Sequence, residues 1–163
     1  MQRHGALYAK EYGYDDRFEA LVAKVVAEFV ENRDPARERC WIADLDGRPV
    51  GSVFLVRLRG GVRARGGRVA KLRLLLVEPA ARGAGVGRRL VHACTLFARR
   101  AGYTAIELWT QAELTSARRI YEAEGYRLVS TTRHRMFGPP CVGEVWRLGL
   151  ARRLRAFRPT QVA

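Results

Sequence analysis

A strand, a glycine-rich turn and a helix follow one another between Lys71 and Ala101, and no other stretch constrains the fold as much. The largely apolar run from Leu72 to Val77 is typical of a strand that is buried on both faces. Glu78-Pro79 ends this run. Apolar side chains then recur at helical spacing from Val86 to Phe97, which predicts a helix with one face toward a core. The stretch therefore predicts an α/β unit.

The turn before this helix is suited to bind an anionic group. N–H groups in the first turn of a helix have no partner within the helix, and the helix dipole adds partial positive charge there. Gly83, Gly85 and Gly87 allow a close backbone approach and positive φ angles. Arg82 and Arg88 add full positive charges beside the turn. We expect a phosphate or diphosphate group at this place.

Three interpretations of the turn compete. A dinucleotide-binding fingerprint requires Gly-x-Gly-x-x-Gly, but Gly87 comes one position early and Glu107, the acidic residue that follows, lies inside a strand pattern. A Walker loop is excluded because no Gly-Lys-Ser/Thr sequence follows. The second interpretation is a glycine-rich connection that binds nothing. The third is a binding site for a coenzyme A thioester.

The third interpretation depends on a resemblance to the GCN5-related N-acetyltransferase family. Its signature, Arg/Gln-x-x-Gly-x-Gly/Ala after a strand that ends near x-Val-x-Pro, resembles Val77-Glu78-Pro79 followed by Arg82-Gly83-Ala84-Gly85-Val86-Gly87. The similarity extends from Arg39 to Leu148. Segments such as Val50-Gly51-Ser52-Val53-Phe54-Leu55 most resemble acetyltransferase domains that are fused to MarR-type regulators. The resemblance implies an α/β fold with a central mixed sheet flanked by helices, and acetyl-CoA as acyl donor.

The resemblance also implies where the coenzyme binds. Two neighbouring parallel strands, at 72–77 and 105–110, would separate and hold the pantetheine arm between them. The backbone of Leu75, Leu76 and Val77 would pair with its amides, and the Val77 N–H would polarise the thioester carbonyl. Cofactor contacts are further expected from Arg82, Gly83, Ala84, Gly85, Val86, Gly87 and Arg88.

Tyr121 is the predicted catalytic acid. The segment from Arg118 to Tyr126 resembles the family motif Leu-Tyr-x-x-x-Gly-Phe/Tyr, in which the tyrosine hydroxyl lies near the coenzyme sulfur. That position implies protonation of the leaving thiolate or positioning of the sulfur. The alternative is a core tyrosine with a satisfied hydroxyl. One departure is Leu114, since the family often has a coenzyme-binding asparagine there, and Gln111 or Thr110 would have to replace that contact.

The residue that removes the proton of the acceptor amine is left open. Some relatives have a glutamate where this chain has Trp109, which cannot act as a base. Glu107, on the same alternating face, and His134, in the final loop, are the predicted catalytic candidates. Glu78 and Glu144 are further candidates, and each of the four also fits a structural role.

Arg73 and Trp109 are the predicted substrate-binding residues. Arg73 precedes Val77 by four positions, so strand alternation predicts both side chains on one face. In several relatives that position faces the acceptor, and an arginine there pairs with a carboxylate or phosphate. The acceptor expected from this is an amine that carries an anionic group. A solvated or helix-facing arginine is the alternative.

Composition narrows the class of protein. The net charge of +14 comes almost entirely from arginine, yet no helix-turn-helix or zinc-finger pattern is present, so direct nucleic-acid binding is not expected as the main role. The three cysteines lack metal-ligand spacing, and we expect reduced thiols and no metal.

The sequence also predicts where the protein is found. No apolar run reaches membrane length and no secretory signal is recognised, so a cytoplasmic location is predicted. A homodimer through the last strands is compatible with the pattern.

One domain is expected from 163 residues. An N-terminal segment at 1–14 precedes an acetyltransferase domain at 15–150 and a basic tail at 151–163.

Local signals predict where several elements begin or turn. Asp15 or Asp16 is expected to cap the first helix and Thr115 the last helix, and Asp46-Gly47 is expected to form a hairpin turn. The loop at 60–67 is expected to connect strands, with phosphate binding by Arg63, Arg65 and Arg68 as the alternative. Periodicity predicts helices at 15–32, 86–101 and 115–124, and strands at 6–8, 40–45, 50–58, 72–77, 103–110, 126–132 and 142–148.

The function predicted from the sequence is direct acetyl transfer from acetyl-CoA to a primary amine in a ternary complex. The acceptor is a small molecule or a peptide amine. The alternative is an acetyl-CoA-binding module that associates with a MarR-type transcription regulator and has no significant turnover.

Overall fold

The computed structural model describes residues 2–60 and 68–150 of the chain. The predicted basic tail, and the predicted loop with Arg63 and Arg65, lie outside these ranges. None of the described helices is long and apolar enough to cross a membrane. The helices are α1 (Gln2–Tyr12), α2 (Asp16–Asn32), α3 (Val86–Arg100) and α4 (Thr115–Glu124), and the strands are β1 (Arg39–Leu45), β2 (Arg48–Arg57), β3 (Val69–Val77), β4 (Ala105–Gln111), β5 (Arg127–His134) and β6 (Cys141–Gly149).

The described strands form one mixed sheet in the order β1-β2-β3-β4-β6-β5. β3 and β4 are parallel and the other neighbours are antiparallel. The parallel pair arises because α3 crosses over between its two strands, as parallel neighbours require. The predicted α/β fold with a central mixed sheet flanked by helices is confirmed.

The main core lies between the sheet and helices α3 and α4. Leu90, Val91 and Cys94 of α3 are buried against sheet residues such as Leu72 and Ile106. The apolar period that predicts α3 thus corresponds to the buried face of the helix. Helix α2 covers the opposite face of the sheet.

Three predicted helix ends are confirmed, namely the start of α2 and the ends of α3 and α4, and the predicted cap of α4 is wrong. The Asp15 carboxylate accepts a hydrogen bond from the Arg17 N–H at 3.1 Å and caps α2. Gly102 and Gly125 follow α3 and α4 with φ angles of 77° and 100°, which favour glycine. Thr115 is not the cap of α4, because Leu114 precedes the helix and makes no side-chain capping bond.

The N-terminal segment is a helix, so the short edge strand predicted at 6–8 is wrong. His4 and Leu7 are buried, and Tyr8 lies on the same face at helical spacing. The Tyr8 ring stacks on Phe18 of α2 with 4.6 Å between ring centroids. Helix α1 forms because this spacing places all three side chains against the rest of the molecule.

A bulge in β3 reverses the alternation of its side chains. Leu74 has a φ of +53°, and the pairing of β2 with β3 shifts at this place. Before the bulge, Arg73 lies opposite Phe54, whose ring packs on Phe29 of α2. After the bulge, Val77 lies opposite Gly51, which faces α3. Arg73 and Val77 therefore lie on opposite faces, and the prediction that they share one face is wrong.

His4 links α1 to this bulge through the carbonyl oxygen of Leu74, and the stability that this contact provides depends on pH. Its Nε2 lies 3.2 Å from the Leu74 carbonyl oxygen, and burial lowers the His4 pKa to about 4. Since an unfolded histidine titrates near pH 6.5, acid protonates the unfolded chain first. The stabilisation is complete above about pH 6.5 and is lost as the pH falls toward 4.

We expect the free energy of unfolding of the wild type to fall by up to about 3 kcal/mol more than that of His4→Gln between pH 7 and pH 4. Urea unfolding at each pH measures this difference, and His92→Gln at an exposed position is the matched control. Equal pH dependence of the wild type and His4→Gln would contradict the assignment.

Candidate active site

The parallel strands β3 and β4 separate after their first four paired positions. Their register runs from Val69 opposite Ala105 to Leu72 opposite Leu108 and then ends. β4 continues to pair with β6 as far as Gln111, so the gap opens on the side of β3. The predicted separation of the two strands is confirmed. It leaves backbone N–H and C=O groups of β3 without partners from β4.

A cleft of about 330 Å³ runs from this gap to the N-terminus of α3. It brings together the glycine-rich turn and the last residues of β3. Ala84, also predicted here, is exposed and does not line the cleft. The predicted residues that line it are Leu75, Leu76, Val77, Arg82, Gly83, Gly85, Val86, Gly87 and Arg88.

The glycines of the turn have two different roles. Gly83 and Gly85 have φ angles of 84° and 76°, a region in which other residues are strained. Gly85 is also the N-cap of α3, so the unpaired N–H groups of the helix start at the cleft. Gly87 instead leaves room for α4, because a Cβ there would lie 2.8 Å from Cδ1 of Ile120.

Helix α1 forms one wall of the cleft, which the sequence analysis missed. Tyr8, Glu11 and Tyr12 line it from this side. The Arg82 guanidinium donates to both carboxylate oxygens of Glu11, at 2.8 and 3.1 Å. Arg3 forms an ion pair with Glu78 next to the turn. The helical spacing of positions 4, 7, 8, 11 and 12 was the available signal for this wall.

A second cavity of about 120 Å³ adjoins the cleft where the two strands separate. Tyr8, Leu75, Leu114 and Ala117 line both spaces. Leu114, at the position of the family's asparagine, thus gives this junction an apolar wall. Gln111 and Thr110 line the second cavity and not the cleft. Aromatic side chains that line the second cavity are Tyr8, Tyr14, Phe18, Trp109, Tyr121 and Phe137.

Tyr121 lies in α4 and lines the second cavity. Burial raises the pKa of its hydroxyl well above the ordinary value, with smaller contributions from Tyr8 and Cys94. The phenol therefore keeps its proton at neutral pH. Within residues 2–60 and 68–150, its hydroxyl makes no hydrogen bond. The phenol is thus a proton donor whose hydroxyl is not hydrogen-bonded to any described residue.

The predicted bases lie away from the second cavity. The Glu107 carboxylate is 3.6 Å from the Arg147 guanidinium. His134 Nδ1 accepts a hydrogen bond from the Met136 N–H at 3.1 Å, so Nε2 carries the proton and donates to Gln111 Oε1 at 2.9 Å. Neither side chain is among the described residues that line the second cavity, although Gln111 is.

The remaining carboxylates are held by other partners. Glu144 accepts from Nε1 of Trp146 at 2.8 Å and lies 3.1 Å from the Arg118 guanidinium. Glu113, which was not predicted, accepts a hydrogen bond at 2.8 Å from the hydroxyl of Tyr14. The predicted substrate-binding residues, Arg73 and Trp109, both line the second cavity.

Residues 2–60 and 68–150 contain no group of three or more His, Cys, Asp or Glu side chains placed to hold a metal ion. Cys40, Cys94 and Cys141 are free thiols.

Solved structures with the same fold are numerous. A GNAT-family protein from Desulfovibrio desulfuricans has a TM-score of 0.69 at 16% identity, with 89% of this chain and 88% of that chain covered. YncA from Salmonella typhimurium, solved with its cofactor acetyl-CoA, has a TM-score of 0.64 at 18% identity and coverages of 82% and 73%. A GCN5-related N-acetyltransferase from Kribbella flavida has a TM-score of 0.62 at 27% identity and coverages of 77% and 76%.

A comparison with protein families matches residues 6–126 to the Acetyltransferase (GNAT) family. No curated protein matches the chain by sequence. Because the family match spans well over half of the sequence, the chain belongs to the Acetyltransferase (GNAT) family.

Proposed function

We propose that the protein transfers the acetyl group of acetyl-CoA directly to a primary amine in a ternary complex. One observation carries this proposal. The gap between β3 and β4 opens both to the glycine-rich turn and to the cavity that Tyr121 lines. An elongated thioester and an amine can therefore reach the same place from two sides.

The residues of the cleft fit coenzyme A, whose thioester supplies the activated acetyl group. The positive φ angles of Gly83 and Gly85 expose main-chain N–H groups at the start of α3, where a diphosphate is favoured. Arg82 and Arg88 add charge there. The unpaired edge of β3 offers hydrogen bonds to an extended chain that bears amides. The acetyl-CoA complex of YncA supports this assignment.

In the proposed reaction, the amine nitrogen forms a bond to the acetyl carbon while the carbon–sulfur bond breaks. The N–H of Val77 stabilises the negative charge that develops on the carbonyl oxygen. Tyr121 donates its proton to the departing thiolate, and the proton that the acylated nitrogen then loses returns to the Tyr121 oxygen. This role requires a phenol that is protonated at neutral pH, as the raised pKa of Tyr121 provides.

The amine must be neutral when it attacks. An amine in the aromatic second cavity loses solvation, which lowers its pKa and favours the neutral form. His134 does not line this cavity and contacts its walls at Gln111, Trp109 and Phe137, and its Nδ1 lone pair already accepts from the Met136 N–H. Glu107 lies beside Arg147. We therefore propose that desolvation of the amine, rather than a basic side chain of the protein, mainly produces its neutral form.

Tyr121→Phe removes only the hydroxyl and is expected to lower kcat by about 100-fold or more, because general acid catalysis is lost. Release of the coenzyme thiol in the presence of an amine panel measures kcat, and calorimetric titration measures the Kd for coenzyme A. Tyr126→Phe is the matched control, since its ring lies 5.8 Å from that of Tyr121 and does not line the second cavity. A kcat of Tyr121→Phe equal to that of Tyr126→Phe would contradict the proposed role.

Glu11→Gln is expected to tighten coenzyme A binding by about two- to fivefold. The Glu11 carboxylate pairs with Arg82 and repels an incoming diphosphate, and an exposed ion pair is worth up to about 1 kcal/mol. Calorimetric titration measures the change, and the gain should shrink in high salt. Glu31→Gln, at an exposed position in α2, is the control. Weaker binding by Glu11→Gln would refute competition between Glu11 and the diphosphate.

The regulatory alternative makes a different prediction in the same assays. A binding module that associates with a MarR-type regulator would bind acetyl-CoA without acceptor-dependent thiol release. The family match and the structural neighbours carry no observation that links this chain to such a regulator, so that relationship stays a prediction from the sequence.

A further inference from the structure

β3 places two cationic side chains, Lys71 and Arg73, next to each other on the face opposite α3. The positions are two apart and precede the bulge at Leu74, so they share one side of the sheet. Both side chains line the second cavity and also a third cavity of about 180 Å³ beneath α2. They therefore lie in the wall between the second and third cavities.

The environment of Arg73 differs from that of the arginines around it. In the third cavity, Arg57 is paired with Asp34 and Arg59 with Glu38, each at 3.2 Å. Arg73 is half-buried and has no ion pair with any residue of the described ranges, where Glu28 is its only identified carboxylate neighbour. Burial lowers its pKa.

Lys71 adds to the positive charge at this place. Burial and the neighbouring Arg73 lower its pKa, whereas Glu107 acts in the opposite direction. Glu107 also faces Arg147 at 3.6 Å. A half-buried cation is costly unless an anion accompanies it. The pair therefore has unused capacity to bind an anion from outside the chain.

This deepens the proposed function and rests on it: we infer that Lys71 and Arg73 bind the carboxylate of the acceptor, which is a small amino acid-like amine with an apolar body. Arg73 and Leu75 lie on either side of the bulge at Leu74, and both line the second cavity, whereas only Leu75 also lines the cleft. An acceptor held by its carboxylate at Arg73 thus presents its amine toward the junction at Leu75, where the thioester enters. A planar guanidinium suits a carboxylate because it donates two parallel hydrogen bonds.

The walls between these two ends define the rest of the acceptor. Phe18, Leu21, Trp109 and Phe137 surround the second cavity, so the middle of the acceptor is apolar. The cavity volume of about 120 Å³ restricts the enclosed part to a few heavy atoms. An additional positive charge on the acceptor would be repelled by Lys71 and Arg73. Polyamines and basic side chains are therefore disfavoured.

Matched pairs of acceptors that differ only in the carboxylate test this inference. Leucine is compared with isoamylamine, and phenylalanine with phenethylamine, by the acceptor-dependent release of the coenzyme A thiol that the protein catalyses. The wild type is expected to prefer the amino acid by at least about tenfold in kcat/KM. Arg73→Met should lower kcat/KM for the amino acid, through KM, at least about tenfold more than for the plain amine, and leave coenzyme A binding unchanged. Arg73→Lys should restore part of the preference.

Arg57→Met is the matched control, because Arg57 lines the third cavity and not the second. Thermal unfolding identifies any variant that fails to fold, and Arg73→Lys then carries the test. If the wild type acetylates the plain amines as well as the amino acids, or if Arg73→Met changes both alike, the carboxylate site is refuted while acetyl transfer stands. If no amine is acetylated although acetyl-CoA binds, the proposed function fails together with this inference.

Discussion

The end of pairing between β3 and β4 is the constraint on which the rest of the site depends. Only four residue pairs join the two strands, after which β4 follows β6 and β3 follows β2. The bulge at Leu74 supports this divergence, since a positive φ in the middle of a strand bends it. A sheet with complete pairing here would have neither an open backbone edge nor a junction between two cavities.

The turn and the helix after it could be predicted because their determinants are local. The spacing of Gly83, Gly85 and Gly87 and the apolar period of α3 are both visible within one short stretch. The place of Tyr121 in α4 was also predictable, because a motif of seven residues fixes its position relative to Gly125, whereas its catalytic role stays a proposal. For this part of the site, sequence order and spatial order nearly coincide.

The remaining features depend on contacts between distant residues. Arg73 and Val77 were wrongly predicted to share one face because one residue in a bulge reverses the alternation, and leucine at a positive φ leaves no mark in the sequence. The partners of His134 lie in the following loop and in β4. The short aromatic segment at 6–8 fitted a strand as well as a helix, and its packing on α2 decided between them.

Helix α1 joins the two halves of the site through one side chain, since Tyr8 lines both the cleft and the second cavity. On the exposed side of the helix, Arg3 forms an ion pair with Glu78 and Glu11 forms one with Arg82. Contacts of this kind contribute little in water, so α1 is held mainly by its buried face, where His4, Leu7 and Tyr8 pack. Because the cleft and the second cavity are the proposed donor and acceptor sites, local opening of α1 would expose both together. Amide hydrogen exchange in residues 2–12 would thus register the occupancy of both sites as a single signal.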